Sequence, residues 1–314
     1  MREEGAICVQ NLHKRFGDVL AVQGISFDVQ RGEIFSLLGP NGAGKSTTIS
    51  ILSCLLTPTQ GDALVMGHSV VREPRKVREE IGVVPQEIAL YEDLSARENL
   101  DFWGRMYGLR GAALKQRVAE VLEIIGLTDR QKGRVGKFSG GMKRRLNIGI
   151  ALLHRPQVII MDEPTVGIDP QTRRNILDSV KELNRNGTTT LYTTHYMEEA
   201  QELSDHIAIM DHGKIIASGT HEELVRIVGE MDRLDLVLSG DVERVLGEWQ
   251  GIAGVCQATA ADGKLTLLVD DSNLVLPRLF ESANRLGVRI TSVEIQEPNL
   301  EAVFLHLTGR ALRD

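Results

Sequence analysis

Residues 34–56 read Ile34-Phe35-Ser36-Leu37-Leu38-Gly39-Pro40-Asn41-Gly42-Ala43-Gly44-Lys45-Ser46-Thr47-Thr48-Ile49-Ser50-Ile51-Leu52-Ser53-Cys54-Leu55-Leu56. The run Ile34–Leu38 reads as a short buried strand, and Gly39–Thr47 fits G-x-x-x-x-G-K-[ST]. Ile49, Leu52, Leu55 and Leu56 then recur at helical spacing until Thr57-Pro58 stops the helix. Strand, glycine loop and helix together form the setting of a phosphate-binding loop. Gly39, Gly42 and Gly44 let the backbone wrap around oxygen atoms with no Cβ in the way. The loop N–H groups, Asn41 included, and the helix N-terminus then point at a triphosphate. Lys45 reaches the β/γ oxygens, Ser46 offers its hydroxyl to Mg²⁺, and Thr47 and Thr48 can donate to the α-phosphate. The ligand implied is a nucleoside triphosphate with Mg²⁺.

A chain of 314 residues suggests about two domains. The net charge of −7, with both signs mixed along the sequence, argues against nucleic acid as the main partner. Cys8, Cys54 and Cys256 are odd in number and far apart, as expected of reduced thiols in the cytosol. The N-terminus is polar and no apolar run reaches the length of a membrane span. If the protein serves a membrane, another chain must cross it.

The opening stretch reads as β-rich: Ile7 and Val9, then Ile25, Phe27 and Val29, with turns at Gly17-Asp18 and Arg31-Gly32. From about 91 to 154 the pattern is helical, with helices over Ala96–Tyr107, Leu114–Ile125 and Gly141–Leu153. Strands return at Val158–Met161 and Thr188–Tyr192, separated by a helix from Pro170 to about Arg185. Asp205–Met210 and Lys214–Ala217 flank Asp211-His212-Gly213, a hairpin. Thr220-His221-Glu222-Glu223 fits a capping box for a helix ending near Gly229. From there the order is strand, helix, two strands joined at Asp262-Gly263, helix, strand and a final helix capped by Asn299. That βαββαβ-α order suggests a ferredoxin-like α+β unit. The expected domains are 1–229 and 230–314.

Val158-Ile159-Ile160-Met161-Asp162-Glu163-Pro164 is a second motif. An apolar strand ending in paired carboxylates is how phosphate-loop enzymes hold Mg²⁺. Asp162 binds the metal and Glu163 acts as general base, while Pro164 ends the strand so that the two carboxylates need not point to opposite faces. Ser139-Gly140-Gly141 fits the N-cap of a helix whose apolar face is Met142, Leu146, Ile150 and Leu153. A helix N-terminus is also an anion site. The triphosphate is already cradled elsewhere, so this second site needs a reason to exist.

In this order of motifs the chain resembles the nucleotide-binding subunit of ATP-binding cassette (ABC) transporters, over roughly residues 6–225. The resemblance rests on Gly39–Thr47, Gln86, Phe138-Ser139-Gly140-Gly141-Met142, Val158–Glu163, Asp169 and His195. It implies an α/β phosphate-loop cassette: a parallel core sheet, an antiparallel β-subdomain and a helical subdomain. It also implies a homodimer closed head to tail by ATP, in which the Ser-Gly-Gly segment of one copy binds the γ-phosphate held by the other. Met142 stands where many members have Gln. The resemblance further implies that Gln86 senses Mg²⁺ and γ-phosphate and that His195 contacts the γ-phosphate. Asp169 is either an N-cap or a signalling residue, or both. Phe16 stacks on adenine or packs on the β-subdomain. Tyr91, Phe102, Trp103 and Tyr107 either receive a helix of the membrane partner or pack internally. Lys143-Arg144-Arg145 reads as a solvated face.

The tail Pro298–Arg310 is similar to that of daunorubicin-type drug-resistance ATPases, a branch that also includes movers of sodium, lipids and sugar conjugates. What this implies is a cytoplasmic ATPase on the inner face of the membrane, driving a separate export permease. The C-terminal unit would support dimerisation or partner recognition. The rivals are a non-transport ABC ATPase acting on ribosomes or DNA, which usually has tandem cassettes or a coiled-coil insertion, and a regulatory module that binds ATP without hydrolysis. Intact Lys45, Asp162, Glu163 and His195 argue against the latter.

Overall fold

The computed structural model describes residues 5–228, 231–239, 242–261, 264–296 and 299–309. The chain separates into two units, Met1–Ile215 and Ile216–Asp314. The boundary expected at 229/230 and the turn at Asp262-Gly263 lie outside the described residues.

The first unit begins with β1 (Ile7–Phe16) and β2 (Val19–Val29), hairpin strands joined at Gly17-Asp18. Next come β3 (Ile34–Leu38), α1 (Lys45–Leu52), β4 (Gln60–Val65), β5 (His68–Ser69), α2 (Pro74–Glu80) and β6 (Ile81–Val84). Three helices follow: α3 (Ala96–Met106), α4 (Gly111–Ile124) and α5 (Gly140–Leu152). The chain then runs through β7 (Val158–Asp162), α6 (Pro170–Arg185), β8 (Thr189–Thr194), α7 (Met197–Leu203), β9 (His206–Asp211) and β10 (Lys214–Gly219).

Strands β2-β1-β4-β5 form an antiparallel sheet, and β10-β9-β3-β8-β7-β6 form the central one. Within the central sheet β6, β7, β8, β3 and β9 run parallel to one another. Every residue of β3, β7 and β8 is buried, as expected for parallel strands covered on both faces. The register sets Leu38 beside Thr194 and Asp162 beside Thr193, so the loops after β3, β7 and β8 emerge at one end. Helices α3, α4 and α5 pack through Leu100, Leu114, Val118, Val121 and Leu146. Ser95 and Glu98 cap α3 reciprocally.

Helix α1 stops at Leu52, not at Leu56 as the apolar spacing suggests. The Ser53 hydroxyl donates back to the Ile49 carbonyl, Cys54 turns to φ 57°, and the Leu55 and Leu56 amides both close on Ser50 O. Leu55 is left 74 % exposed.

In the second unit α8 (His221–Val225) carries the expected capping box, Thr220 with Glu223. It is followed by β11 (Asp232–Ser239), α9 (Val242–Trp249), β12 (Val255–Ala261), β13 (Lys264–Val269), α10 (Ser272–Leu286), β14 (Arg289–Gln296) and α11 (Leu300–Thr308). The sheet order β12-β13-β11-β14, all antiparallel, is the ferredoxin-like arrangement for a βαββαβ chain. Leu234, Leu236, Leu265 and Leu267 meet Val245, Trp249, Val275 and Leu279 in its core. Trp249 is fully buried and its indole N–H donates to Ser282 Oγ at 3.1 Å. Asn299 caps α11 as expected.

Candidate functional site

The loop between β3 and α1 is built where backbones come too close for side chains. A Cβ on Gly39 would lie 2.2 Å from the Met210 carbonyl oxygen. Gly44, at φ 105°, passes so near the Ala21 carbonyl that a Cβ would lie 2.6 Å from it. The β9–β10 turn supports the loop from beside it: Gly213 N–H donates to Ala43 O at 2.9 Å and Gln23 N–H to Gly213 O at 2.8 Å. No side chain caps α1, so its first N–H groups face whatever the loop holds.

Lys45 Nζ donates to the carbonyls of Gly39 at 2.6 Å and Pro40 at 3.0 Å, and pairs with Glu163 Oε1 at 3.0 Å. Glu163 Oε2 lies 3.2 Å from His195 Nδ1. An ammonium, a carboxylate and an imidazole thus stand in line, all buried. Beside them Asp162 Oδ1 accepts from Ser46 Oγ at 3.2 Å and from Thr193 Oγ1 at 2.7 Å. The carboxylates are separated by the backbone of Glu163 itself, which takes φ 43° and donates its N–H to Thr193 O at 3.2 Å and Oγ1 at 3.0 Å. A bulky residue at positive φ carries strain of about 1–3 kcal/mol, and the Thr193 contacts hold it.

Phe16, Asn41, Gly42, Gly44, Lys45, Ser46, Thr47, Gln86 and Glu163 line one cavity of about 420 Å³. Phe16 sits at this cavity 45 % exposed, with Lys14 Nζ 5.1 Å from its ring centre, so nearly half of the residue is left open. Thr48 differs from expectation. It is fully buried and its hydroxyl donates to Gly44 O at 2.9 Å, inside the helix and outside the cavity lining.

Ser139, Gly140, Gly141 and Asp169 do not line this cavity. Exposed Ser139 caps α5, accepting from Met142 N–H at 3.3 Å. Gly141 packs so tightly on α6 that a Cβ would lie 2.1 Å from Thr172 Cγ2, whereas Gly140 has room. Asp169 caps α6 through Thr172 N–H at 3.0 Å, and that hydrogen bond lowers its pKa.

Lys143-Arg144-Arg145 is not a solvated face. Arg144 is 3 % exposed and donates to the carbonyls of Pro85 and Gln86, each at 2.7 Å. Lys143 pairs with Glu92, and Arg145 donates to Ile125 O at 3.2 Å. The guanidinium of Arg144 therefore fastens α5 to the backbone at Gln86. Thr193 was also missed; a threonine inside a β-branched strand gives no sign of the carboxylate beside it. Among the aromatics, Trp103 packs on the core, while Tyr91 and Phe102 form an edge contact at 4.9 Å and stay partly exposed. Tyr107 stacks on His154 at 4.1 Å.

The site's oxygen donors suit Mg²⁺. A hydroxyl and one carboxylate stand together at Ser46 and Asp162, and Mg²⁺ characteristically takes one or two carboxylates and completes its shell from substrate phosphates and water.

The sequence profile described as ABC transporter matches residues 22–166. The linearmycin resistance ATP-binding protein LnrL of Bacillus subtilis is 48 % identical, over 97 % of this chain and 99 % of its own length. The daunorubicin resistance ATP-binding protein DrrA3 of Streptomyces coeruleorubidus is 40 % identical over 97 % and 96 %. A Nod factor export ATP-binding protein I of Burkholderia lata is 39 % identical over 97 % of each. Among solved structures, a dimeric ATP-binding cassette in a post-hydrolysis state with ADP and Pi superposes with a TM-score of 0.62 and 28 % identity, covering 68 % of this chain and 98 % of that one. Since likeness at this level runs through almost the whole length of such relatives, the chain belongs to the ABC transporter family, as one of its ATP-binding, ATP-hydrolysing subunits.

Proposed function

We propose that the chain is the motor of an export-type transporter for drug-like compounds, acting on a separate membrane-spanning permease from the cytoplasmic face. The observation that carries the catalytic reading is the buried line Lys45, Glu163, His195 at the mouth of the phosphate loop. The names of the relatives in drug resistance and export carry the transport reading. No helix among the described residues is long and apolar enough to cross a membrane.

In this reading the loop N–H groups and Lys45 bind the triphosphate. Glu163 takes the proton of the attacking water, and its 3.2 Å contact with His195 orients the carboxylate. Ser46, Asp162 and Gln86 would hold Mg²⁺, which supplies charge neutralisation of the phosphates. Phe16 offers adenine an exposed ring. Two copies close head to tail, with Ser139–Gly141 of one at the γ-phosphate of the other and Asp169 at the seam. Closure is driven by the difference in ATP affinity between open and closed states, and hydrolysis reverses it.

The test is to recover the tagged chain from detergent-solubilised membranes of its host and identify what copurifies. A stoichiometric multi-span protein supports the transport reading; recovery with ribosomes or nucleic acid, or alone, overturns it. The Nod factor export relatives support a second cargo class, separated from the first by drug susceptibility of a deletion strain.

A further inference from the structure

A carboxylate with no part in the scheme above lies behind it. Glu199, in α7, is 2 % exposed. Its Oε1 accepts from Thr165 Oγ1 at 2.7 Å and lies 3.5 Å from Arg173 Nε; its Oε2 accepts from Tyr192 Oη and Thr194 Oγ1, each at 2.9 Å. An ionised carboxylate only accepts, so three hydroxyls are turned inward on one group. Burying that charge is tolerable because it is hydrogen-bonded and paired. Burial and the neighbouring carboxylate push the Tyr192 phenol well above its ordinary value, which keeps it a donor.

What matters is where these hydroxyls sit. Thr165 follows Glu163 by two residues and Thr194 precedes His195. Thr194 Oγ1 also accepts from Tyr196 N–H at 2.9 Å, so the backbone on both sides of His195 is held. Arg173 lies over the Tyr196 ring at 4.3 Å and joins α6 to the same cluster.

We propose that Glu199 is a positioning residue that sets Glu163 and His195 against each other, by pinning to one carboxylate the two segments that carry them. The inference rests on the catalytic reading above for its consequence, though not for its geometry. A glutamine there would place an NH₂ group, with two donor hydrogens, where one carboxylate oxygen now accepts, so the hydrogen bonds on that side would have to reverse or let go.

The experiment compares the full-length wild type with Thr165→Val, Thr165→Ser and Glu199→Gln. Valine keeps the shape of threonine without the hydroxyl; serine keeps the hydroxyl. Thr165→Val and Glu199→Gln are expected to lower kcat about tenfold to a hundredfold, the scale on which a small displacement of a catalytic group acts, with KM for ATP near wild type. Thr165→Ser is expected to restore kcat. The nucleotide-free protein gives a readout independent of turnover. The ring NMR signals of His195, assigned by His195→Gln, should move in Thr165→Val and Glu199→Gln and return in Thr165→Ser. Unmoved signals, or serine behaving like valine, overturn the proposal even if all variants lose thermal stability. A wild type without ATPase activity would sink the catalytic reading, and the His195 signals would still decide this one.

Discussion

Lys45 and Glu163 meet Nζ to Oε1 at 3.0 Å with only 4 % and 5 % of their side chains exposed, although 118 residues apart in sequence. The pair joins the phosphate loop to the end of β7, so two motifs that stand far apart in the sequence share one buried ion pair.

Glu163→Gln keeps the volume and removes the proposed base. ATP binding should persist while turnover falls by roughly 10²–10⁴, the usual scale for a positioned general base. Single-turnover hydrolysis beside nucleotide-binding titration checks it, and wild-type-like hydrolysis would remove Glu163 from the role.

Ser139→Arg places a bulky cation at the exposed N-cap of α5. In the Glu163→Gln background it should abolish ATP-induced dimerisation while leaving ATP binding by the monomer intact. Size-exclusion chromatography with and without ATP reads the outcome. A dimer that survives the substitution excludes the head-to-tail arrangement.

Gly140 and Gly141 should respond unequally to alanine. At 140 the nearest atom to a new Cβ is Ile168 Cδ1 at 3.7 Å, ordinary contact. At 141 the Thr172 side chain stands in the way. Gly141→Ala should lose about 1–3 kcal/mol to overpacking and Gly140→Ala much less, as urea unfolding would report.

Arg144→Met removes both hydrogen bonds to the carbonyls at 85 and 86 while keeping an apolar stem. The Gln86 segment should loosen. The Mg²⁺ concentration for half-maximal ATPase is expected to rise at least severalfold, with far-ultraviolet circular dichroism unchanged. An unchanged Mg²⁺ requirement would show that α5 does not govern Gln86.

His154 supplies a pH signature. Burial lowers its pKa, and its Nδ1 has no hydrogen-bond partner. The folded state thus holds fewer protons than the unfolded one as pH falls through the ordinary histidine range. Its stabilising contribution is present above about pH 6.5 and is lost as pH drops toward the folded value. Wild-type stability should decline more steeply than that of His154→Gln between pH 7 and 5 in denaturant titrations.

The elements legible in the sequence are those whose signal is local. The phosphate loop shows in its glycines, β7 in its apolar run before Asp162, α11 in its cap at Asn299, and the second unit in its element order. What was not legible depends on remote partners. Arg144 sits between two basic neighbours and reads as solvent-facing, yet its acceptors are the carbonyls 58 and 59 residues upstream. Glu199 stands beside Glu198 in a short acidic helix start, and only the fold brings Thr165 and Tyr192 to it. Strands β5 and β6 are too short, and β4 too exposed at its start, to carry a clear alternation. Leu55 and Leu56 continue the apolar spacing of α1, yet their amides close on Ser50 O and they stand outside the helix.

The left-handed backbone at Glu163 has a bearing on how the protein could be engineered. That conformation suits glycine or asparagine better than glutamate, so a search for heat-resistant variants would be drawn to replacements at this position. Such replacements would relieve the strain but leave Lys45 buried without its carboxylate partner, so any gain in stability would have to outweigh a lost buried ion pair, and in the proposed reading turnover would fall with it.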